Sequence, residues 1–126
     1  MTTNQRLIAN IVYKFEKLRV YNEAVELVKA IYGLTEKLPK EERFALINQL
    51  KRSSTSIVLN IAEGTGSLGD KEFKSFLRNS LKSLYETVAG IKLAEKLFKI
   101  NVKTVLEKSE IIGKQLNCLI RSLTND

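Results

Sequence analysis

Apolar residues recur three or four positions apart along most of this chain, and this spacing constrains the fold more than any other feature. Residues at that spacing share one face of an α-helix. The clearest series alternates steps of four and three near the C-terminus: Val105, Ser109, Ile112, Leu116, Leu119 and Leu123. No strand-like alternation, hairpin dipeptide or repeat period is present, so the pattern predicts an all-α protein.

Proline and glycine residues divide the pattern into four predicted helices. Pro39, the only proline, is tolerated only in the first turn of a helix, so it separates the first helix from the second. Glycines at positions 64, 66 and 69 end the second helix, and Asn101 separates the third from the fourth. The predicted helices cover residues 20–37, 40–64, 70–99 and the stretch after Asn101. Because short connections join long helices, we expect an antiparallel up-down four-helix bundle.

A chain of 126 residues is expected to form one domain. Residues 1–18 carry apolar residues at roughly helical spacing but no clear cap, so we expect a lead-in segment or a short helix there. Residues 19–126 are expected to form the bundle.

Four single residues carry more specific predictions. Asn22 and Asp70 are predicted to cap the first and third helices. Gly90 lies inside the third helix, where glycine costs roughly 1 kcal/mol relative to alanine, so we expect a packing reason for it. Cys118 lies in the apolar pattern of the last helix and is predicted to be a small core residue.

The rarest residue types restrict the chemistry. One cysteine and no histidine exclude a disulfide framework and nearly exclude a zinc or haem site, so we expect no metal and no cofactor. A serine nucleophile would need a base, and no histidine is present to provide one. Glu63 and Glu86 could act as an acid and a base, but no nucleophile, metal-ligand set or phosphate loop accompanies them. We therefore expect a protein that is not an enzyme.

The hydropathy pattern predicts neither a membrane span nor a signal peptide. No apolar stretch approaches the ~20 residues that a transmembrane helix needs. The first five residues are polar, and charged residues break the apolar run that follows. Since a lone thiol also suits a reducing compartment, we expect a cytoplasmic protein.

Polar residues form a stripe along the flank of the apolar face on both the second and the third predicted helix. Six of them are candidates for a structural polar contact or an oligomer interface: Ser53, Ser56, Asn60, Glu63, Ser83 and Glu86. Two stripes of matching character favour direct contact between the two helices, or contact with a neighbouring subunit. The alternative is that Glu63 and Glu86 are ordinary solvated acids.

The third helix also carries a row of cations, here called the basic flank. It consists of Lys71, Lys74, Arg78, Lys82, Lys92 and Lys96. The first four form a line about 16 Å long at the rise of an α-helix, with no acid inside it. Such a line repels itself unless an anion lies against it, so it is a candidate for contact with a phosphate backbone. The alternative is a solvated face with ion pairs such as Glu95 with Lys99.

The net positive charge is concentrated in the same part of the chain. The chain carries +7, and residues 71–114 account for +5 of it, from ten lysines or arginines against five glutamates. An excess of this kind favours an anionic partner, although small proteins are also this basic for solubility alone. Tyr85 is the only aromatic residue on the side of the third helix that carries the basic flank, so sequence-specific readout of a single strand is not expected.

The second helix also resembles a known family. Three short motifs carry the resemblance: Arg52-Ser53-Ser54, Ser56-Ile57 and Asn60-Ile61-Ala62-Glu63-Gly64. They resemble the signature of the bacterial four helix bundle proteins known as 23S rRNA-intervening sequence proteins. The resemblance extends over about residues 15–100 through Phe15, Leu18, Val20, Ala24, Tyr32, Pro39, Glu42, Phe44, Leu46, Gln49, Phe73, Phe76, Leu77, Ser83 and Glu86.

The resemblance implies a four-helix bundle that assembles as a homopentamer and has no established enzymatic activity. The family is encoded in some bacteria within insertions in large-subunit rRNA genes. Accessory proteins of diversity-generating retroelements look like relatives, and they are basic pentamers that bind nucleic acid and a reverse transcriptase. This chain departs from the pattern at Ser67, where a basic residue often follows the glycine turn, and at Lys82, where a small residue usually precedes Ser83.

The sequence therefore predicts a non-enzymatic, oligomeric four-helix bundle that binds RNA or DNA through the basic flank. The alternative is a structural adaptor whose oligomer docks another protein, with the positive face incidental. The expected partners are further copies of the chain together with either a nucleic acid or a protein.

Overall fold

Four long helices make up most of the computed structural model, which describes residues 11–124. They are α1 (Arg19–Thr35), α2 (Asn48–Thr65), α3 (Asp70–Phe98) and α4 (Lys103–Ser122). A short 3-10 helix, Lys14–Lys17, precedes α1, and no strand occurs within residues 11–124. The all-α prediction is confirmed. Residues 1–10, the larger part of the predicted lead-in segment, lie outside the described residues.

The helices pack in the order in which they follow one another. Each helix contacts the next, and α4 contacts α1, so the four helices form a closed ring around one core. The short connections reverse the chain direction each time, which makes the bundle antiparallel and up-down, as predicted. The contact between α2 and α3 is the most extensive, and α1 and α3 occupy opposite corners.

Aliphatic side chains from all four helices fill the core. Leu27, Ile57, Ile91 and Ile112, one from each helix in turn, have no solvent-exposed surface. Burying each of them contributes about 1.5–3 kcal/mol relative to leaving it in water. No helix within residues 11–124 is both long enough and apolar enough to cross a membrane.

The connection from α1 to α2 differs from the prediction. The sequence pattern predicts one helix over residues 40–64, but a 3-10 turn (Lys40–Glu42) and a π turn (Arg43–Ile47) precede α2. Pro39 has an extended ψ of 142°, so the chain enters the helix from an extended residue. The wider π turn then displaces the apolar side chains, and Phe44 is left 88% exposed.

The helix ends correct two of the predicted caps. Leu18 is the N-cap of α1, and Asn22 lies inside the helix, where its side-chain amide donates to the Leu18 carbonyl at 3.0 Å. Gly69 is the N-cap of α3, and Asp70 is the first helical residue, where its charge favours the positive end of the helix dipole. The prediction that Asn22 and Asp70 are N-caps is therefore wrong.

Gly90 has the packing role that was expected. It is buried where α3 crosses α2, and a Cβ atom added there would lie 2.8 Å from Leu50 Cδ2. Gly64 has the same role at the other end of α2, where an added Cβ would lie 2.8 Å from the Phe73 ring. The absence of a side chain at both positions lets α2 and α3 approach closely.

This packing predicts opposite effects for two glycine-to-alanine substitutions. Gly90→Ala should lower the free energy of unfolding by ~1–3 kcal/mol, because the clash with Leu50 outweighs the gain in helix propensity. Gly33→Ala in α1 should raise it by up to ~1 kcal/mol, because nothing lies within 4 Å of the added atom. Urea denaturation of both variants measures the two effects. An unchanged or raised stability of Gly90→Ala would contradict the close approach of the helices.

Candidate nucleic-acid interface

The polar stripes on α2 and α3 face each other inside the bundle. Thr87 Oγ1 on α3 donates to Ser53 Oγ at 2.8 Å, and the hydroxyls of Ser56 and Ser83 lie 2.9 Å apart. Ser80 Oγ donates to the Ile57 carbonyl at 2.9 Å. These short side chains fill the gap between two closely packed backbones and satisfy one another there. The contact fixes the rotation of α3 relative to α2.

The remaining stripe residues lie toward the surface. The Asn60 amide is half-buried and donates to Ser56 Oγ at 3.1 Å, which extends the hydroxyl contacts by one turn. Glu63 and Glu86 are exposed, and neither forms an ion pair with any other residue of the described range. Of the predicted stripes, the hydroxyl and amide residues therefore form a polar contact inside the bundle. The two acids are surface residues of the single chain.

Because the serines turn one side of α3 toward α2, the basic flank lies on the other side, toward α4 and solvent. Five of its six residues are exposed: Lys71, Arg78, Lys82, Lys92 and Lys96. Lys74 is half-buried, and its Nζ lies 3.4 Å from the Thr124 hydroxyl just beyond α4. Successive residues of a helix are rotated by about 100°, and by this measure Lys82 is the residue of the basic flank that lies farthest from α4, toward the outer surface.

The cations of the basic flank have no acidic partners among residues 11–124. The ion pairs of the described chain lie on α1 and α4, namely Arg19–Glu23, Glu26–Lys29, Lys103–Glu107 and Glu110–Lys114. The Glu95–Lys99 pair of the solvated-face alternative is not formed, since Lys99 ends α3 in the left-handed conformation at φ 54°. None of the six cations of the basic flank is therefore held in an ion pair within the described residues.

Residues of α4 that the sequence pattern does not single out add to this surface. Arg121 is exposed three residues before Thr124 and four after Asn117, so it lies on the flank of α4 that faces Lys74. Lys114 lies farther along the same boundary, paired with Glu110 at 3.4 Å. Their spacing along α4 could not reveal this, because the register between α3 and α4 is a property of the packed bundle.

A groove with a volume of about 430 Å³ runs along the boundary between α3 and α4. Apolar side chains line most of it, and Tyr85, Lys92, Lys114 and Asn117 lie among its polar lining. Tyr85 is 65% exposed. The groove therefore places an accessible aromatic ring between the two halves of the basic flank.

The structure also bears on the predictions about reactive groups. Cys118 is exposed on α4, so the prediction that it is a core residue is wrong. It lies beside the start of α1, near Leu18 and Arg19. The apolar face of α4 that packs into the core is offset from Cys118 by about one residue. Within residues 11–124, no group of three or more cysteine, aspartate or glutamate residues is arranged to hold a metal ion.

Comparisons with known proteins agree with this architecture. The model of one protein family, described as 23S rRNA-intervening sequence protein, matches residues 16–119. A crystal structure of a protein of unknown function from the S23 ribosomal protein family of Bacteroides thetaiotaomicron has a similar fold, with a TM-score of 0.74 and 28% sequence identity. The alignment covers 80% of this chain and 97% of that one. No curated protein matches the chain.

The hydroxyl contact predicts a specific loss of stability. Thr87→Val keeps the shape of the side chain but removes the hydroxyl that bonds Ser53 Oγ and the Ser83 carbonyl, so it should cost ~1–2 kcal/mol. Thr55→Val is the matched control, because that hydroxyl bonds only within its own helix and should change stability by less than ~0.5 kcal/mol. Chemical denaturation compares the two. Equal effects would contradict a role for Thr87 in holding α2 and α3 together.

Proposed function

The chain belongs to the 23S rRNA-intervening sequence protein family, and from that premise we propose that it is a non-enzymatic, oligomeric four-helix bundle that binds RNA or DNA through the basic flank. One observation carries the proposal: six cations on α3 have no acidic partner among residues 11–124. Because α3 spans 29 residues without a break, those cations stand on a rigid support.

The dimensions of the flank suit a phosphate backbone. The line from Lys71 to Lys82 is about 16 Å long. Duplex DNA carries one negative charge per ~1.7 Å of its axis, so a backbone lying along this line presents several phosphates to four cations. Arg121 on α4 widens the positive surface beside Lys74. Contacts of this type depend on charge rather than on base sequence, and each one releases counterions from the nucleic acid.

Assembly of several copies of the chain would repeat the basic flank once in each copy. On the outer side of α2 and α3, Leu59, Leu93 and Leu97 are large apolar residues exposed to solvent. They lie beside the exposed acids Glu63 and Glu86, on the face that continues the polar stripes. An apolar face of this kind favours contact with another protein surface. We propose that it contacts further copies of the chain, in the homopentamer that the family resemblance implies.

A structural adaptor is the second candidate function, and the same exposed apolar residues favour it. An oligomer held together elsewhere would leave Leu93, Leu97 and Phe44 free to dock a different protein. Such docking would depend on apolar burial and would be insensitive to salt. Phosphate contacts weaken steeply as salt rises, so salt dependence separates the two functions.

We predict that charge reversal of the basic flank abolishes nucleic-acid binding. In fluorescence anisotropy across ~50–300 mM salt, the native protein should bind a structured RNA or a DNA duplex with an affinity that falls steeply with salt. The variant Lys74→Glu, Arg78→Glu, Lys82→Glu should lose at least ~10-fold in affinity at the lowest salt.

The control for this variant reverses Lys29, Lys37 and Lys40, which lie on or just after α1, at the opposite corner of the bundle. Both variants carry the same net charge, so equal losses would show that binding follows net charge and not the basic flank. Absence of binding by the folded native protein at low salt would contradict the proposed function and favour the adaptor.

We also predict that the outer face of α3 is needed for assembly. Leu93→Glu should lower the mass measured by light scattering, because the new charge would have to be buried between copies. Ile111→Glu on α4 is the control, with a similar exposed fraction of 43% against 47% for Leu93. A monomeric native protein, or an unchanged mass for Leu93→Glu, would contradict the assembly.

A further inference from the structure

The groove between α3 and α4 lies in the path of any strand that follows the basic flank. Arg78 precedes Tyr85 by seven residues and Lys92 follows it by seven, so the ring stands midway along about 21 Å of helix. Since Tyr85 and Lys92 both line the groove, its opening lies beside the cations. A nucleic-acid strand held at both ends of this interval therefore passes over the groove.

From this placement, we propose that the groove holds one unpaired nucleobase of a bound RNA, stacked against Tyr85. The inference rests on the proposed function and makes it more specific, because it names the conformation of the strand that binds. It assigns to Tyr85 a contact with a base, whereas the basic flank contacts phosphates.

The aromatic ring is available for stacking. Tyr85 is 65% exposed, and its ring takes no part in the aromatic or cation–π contacts of residues 11–124, which involve Tyr13, Phe15, Tyr21 and Tyr32. An exposed ring in a positive surface is the usual platform for a base, because every base has a π face that it can cover. A tyrosine needed only for packing would bury more of its ring in the core.

The groove has the room and the lining that a base requires. Its volume of about 430 Å³ exceeds that of a single heterocycle, and its floor is formed by apolar side chains including Leu84 and Val88. Gly113 has no side chain, which leaves space on the α4 side of the groove. A Cβ atom at this position would lie 3.3 Å from Leu84 Cδ2. A larger residue at position 113 would occupy the space that we assign to the base.

The polar rim favours RNA over DNA. Lys92 can face a phosphate beside the base, and the side-chain amide of Asn117 donates to the Gly113 carbonyl at 3.0 Å, which leaves the Asn117 side-chain oxygen as an acceptor. Glu110, paired with Lys114, offers a second acceptor. A ribose 2′-hydroxyl can donate to such acceptors, and deoxyribose has no equivalent group.

An unpaired base is required because a duplex keeps its bases stacked inside. Proteins read RNA sequence and structure chiefly at loops and bulges, whose bases can turn outward onto aromatic side chains. A single ring provides one stacking position, so the groove selects for the presence of an unpaired base and not for an extended sequence. This distinguishes the site from a channel that reads several successive bases.

The test compares three probes by fluorescence anisotropy at one low salt concentration: a hairpin RNA with an unpaired loop, a fully paired RNA duplex with the same number of phosphates, and the DNA form of the hairpin. The native protein should bind the RNA hairpin tightest. Tyr85→Ala should weaken hairpin binding about 5- to 100-fold, the range expected for one base stacked on an aromatic residue, and should leave duplex binding unchanged.

Two further variants separate stacking from other roles of the tyrosine. Tyr85→Phe keeps the ring and should retain the preference for the hairpin. Gly113→Leu fills the groove without altering any charge and should reduce the preference as Tyr85→Ala does. In a loop labelled with the fluorescent adenine analogue 2-aminopurine, binding should quench the fluorescence with the native protein and with Tyr85→Phe, but not with Tyr85→Ala.

The outcomes distinguish this inference from the proposed function. If hairpin and duplex bind equally and Tyr85→Ala changes neither, while charge reversal of the basic flank still abolishes binding, the groove inference is wrong and the proposed function stands. If no probe binds at low salt, both are wrong. Equal affinity for the RNA and DNA hairpins would overturn the assignment of the strand as RNA.

Discussion

The close approach of α2 and α3 determines the arrangement of the rest of this protein. Two glycines without side-chain bulk and a series of short hydroxyl side chains lie where the helices cross, and the hydroxyls bond to one another across the contact. A polar group left unpaired in such a contact would cost ~1–3 kcal/mol, so rotations of α3 that pair the hydroxyls are favoured. Aliphatic packing alone would tolerate many rotations; the hydroxyl pairs select among them.

The rotation of α3 in turn decides what reaches the surface. With its serine side against α2 and its leucine side in the core, α3 presents the basic flank and Tyr85 at the boundary with α4. Rotating α3 by about 100°, the angle of a single residue, would move Lys74 and Lys92 away from the boundary with α4. A contact that stabilises the bundle thus also places the cations, although no residue in that contact carries a charge.

Much of this could be predicted from the sequence, and the errors have physical causes. Helical spacing predicted the four helices, and the matching stripes predicted either contact between the second and third helices or contact with a neighbouring subunit, without pairing individual residues. No residue type signals the π turn before α2. Apolar periodicity alone cannot separate neighbouring positions, and it therefore predicts a core position for Cys118, which is exposed. The groove was missed for a different reason. Its two walls come from separate helices whose relative register depends on tertiary packing.

The distribution of ion pairs bears on the role of the basic flank. On α1 and α4, lysines and arginines pair with glutamates one turn away. On α3 the acids Asp70, Glu72, Glu86 and Glu95 form no ion pair, although Asp70 precedes Lys74 by four residues and Glu86 follows Lys82 by four. Pairing with these acids would have reduced the repulsion among the cations by a few tenths of a kcal/mol per pair. The acids of α1 and α4 form such pairs, and those of α3 do not. The unpaired cations of α3 therefore favour a surface that binds an external anion.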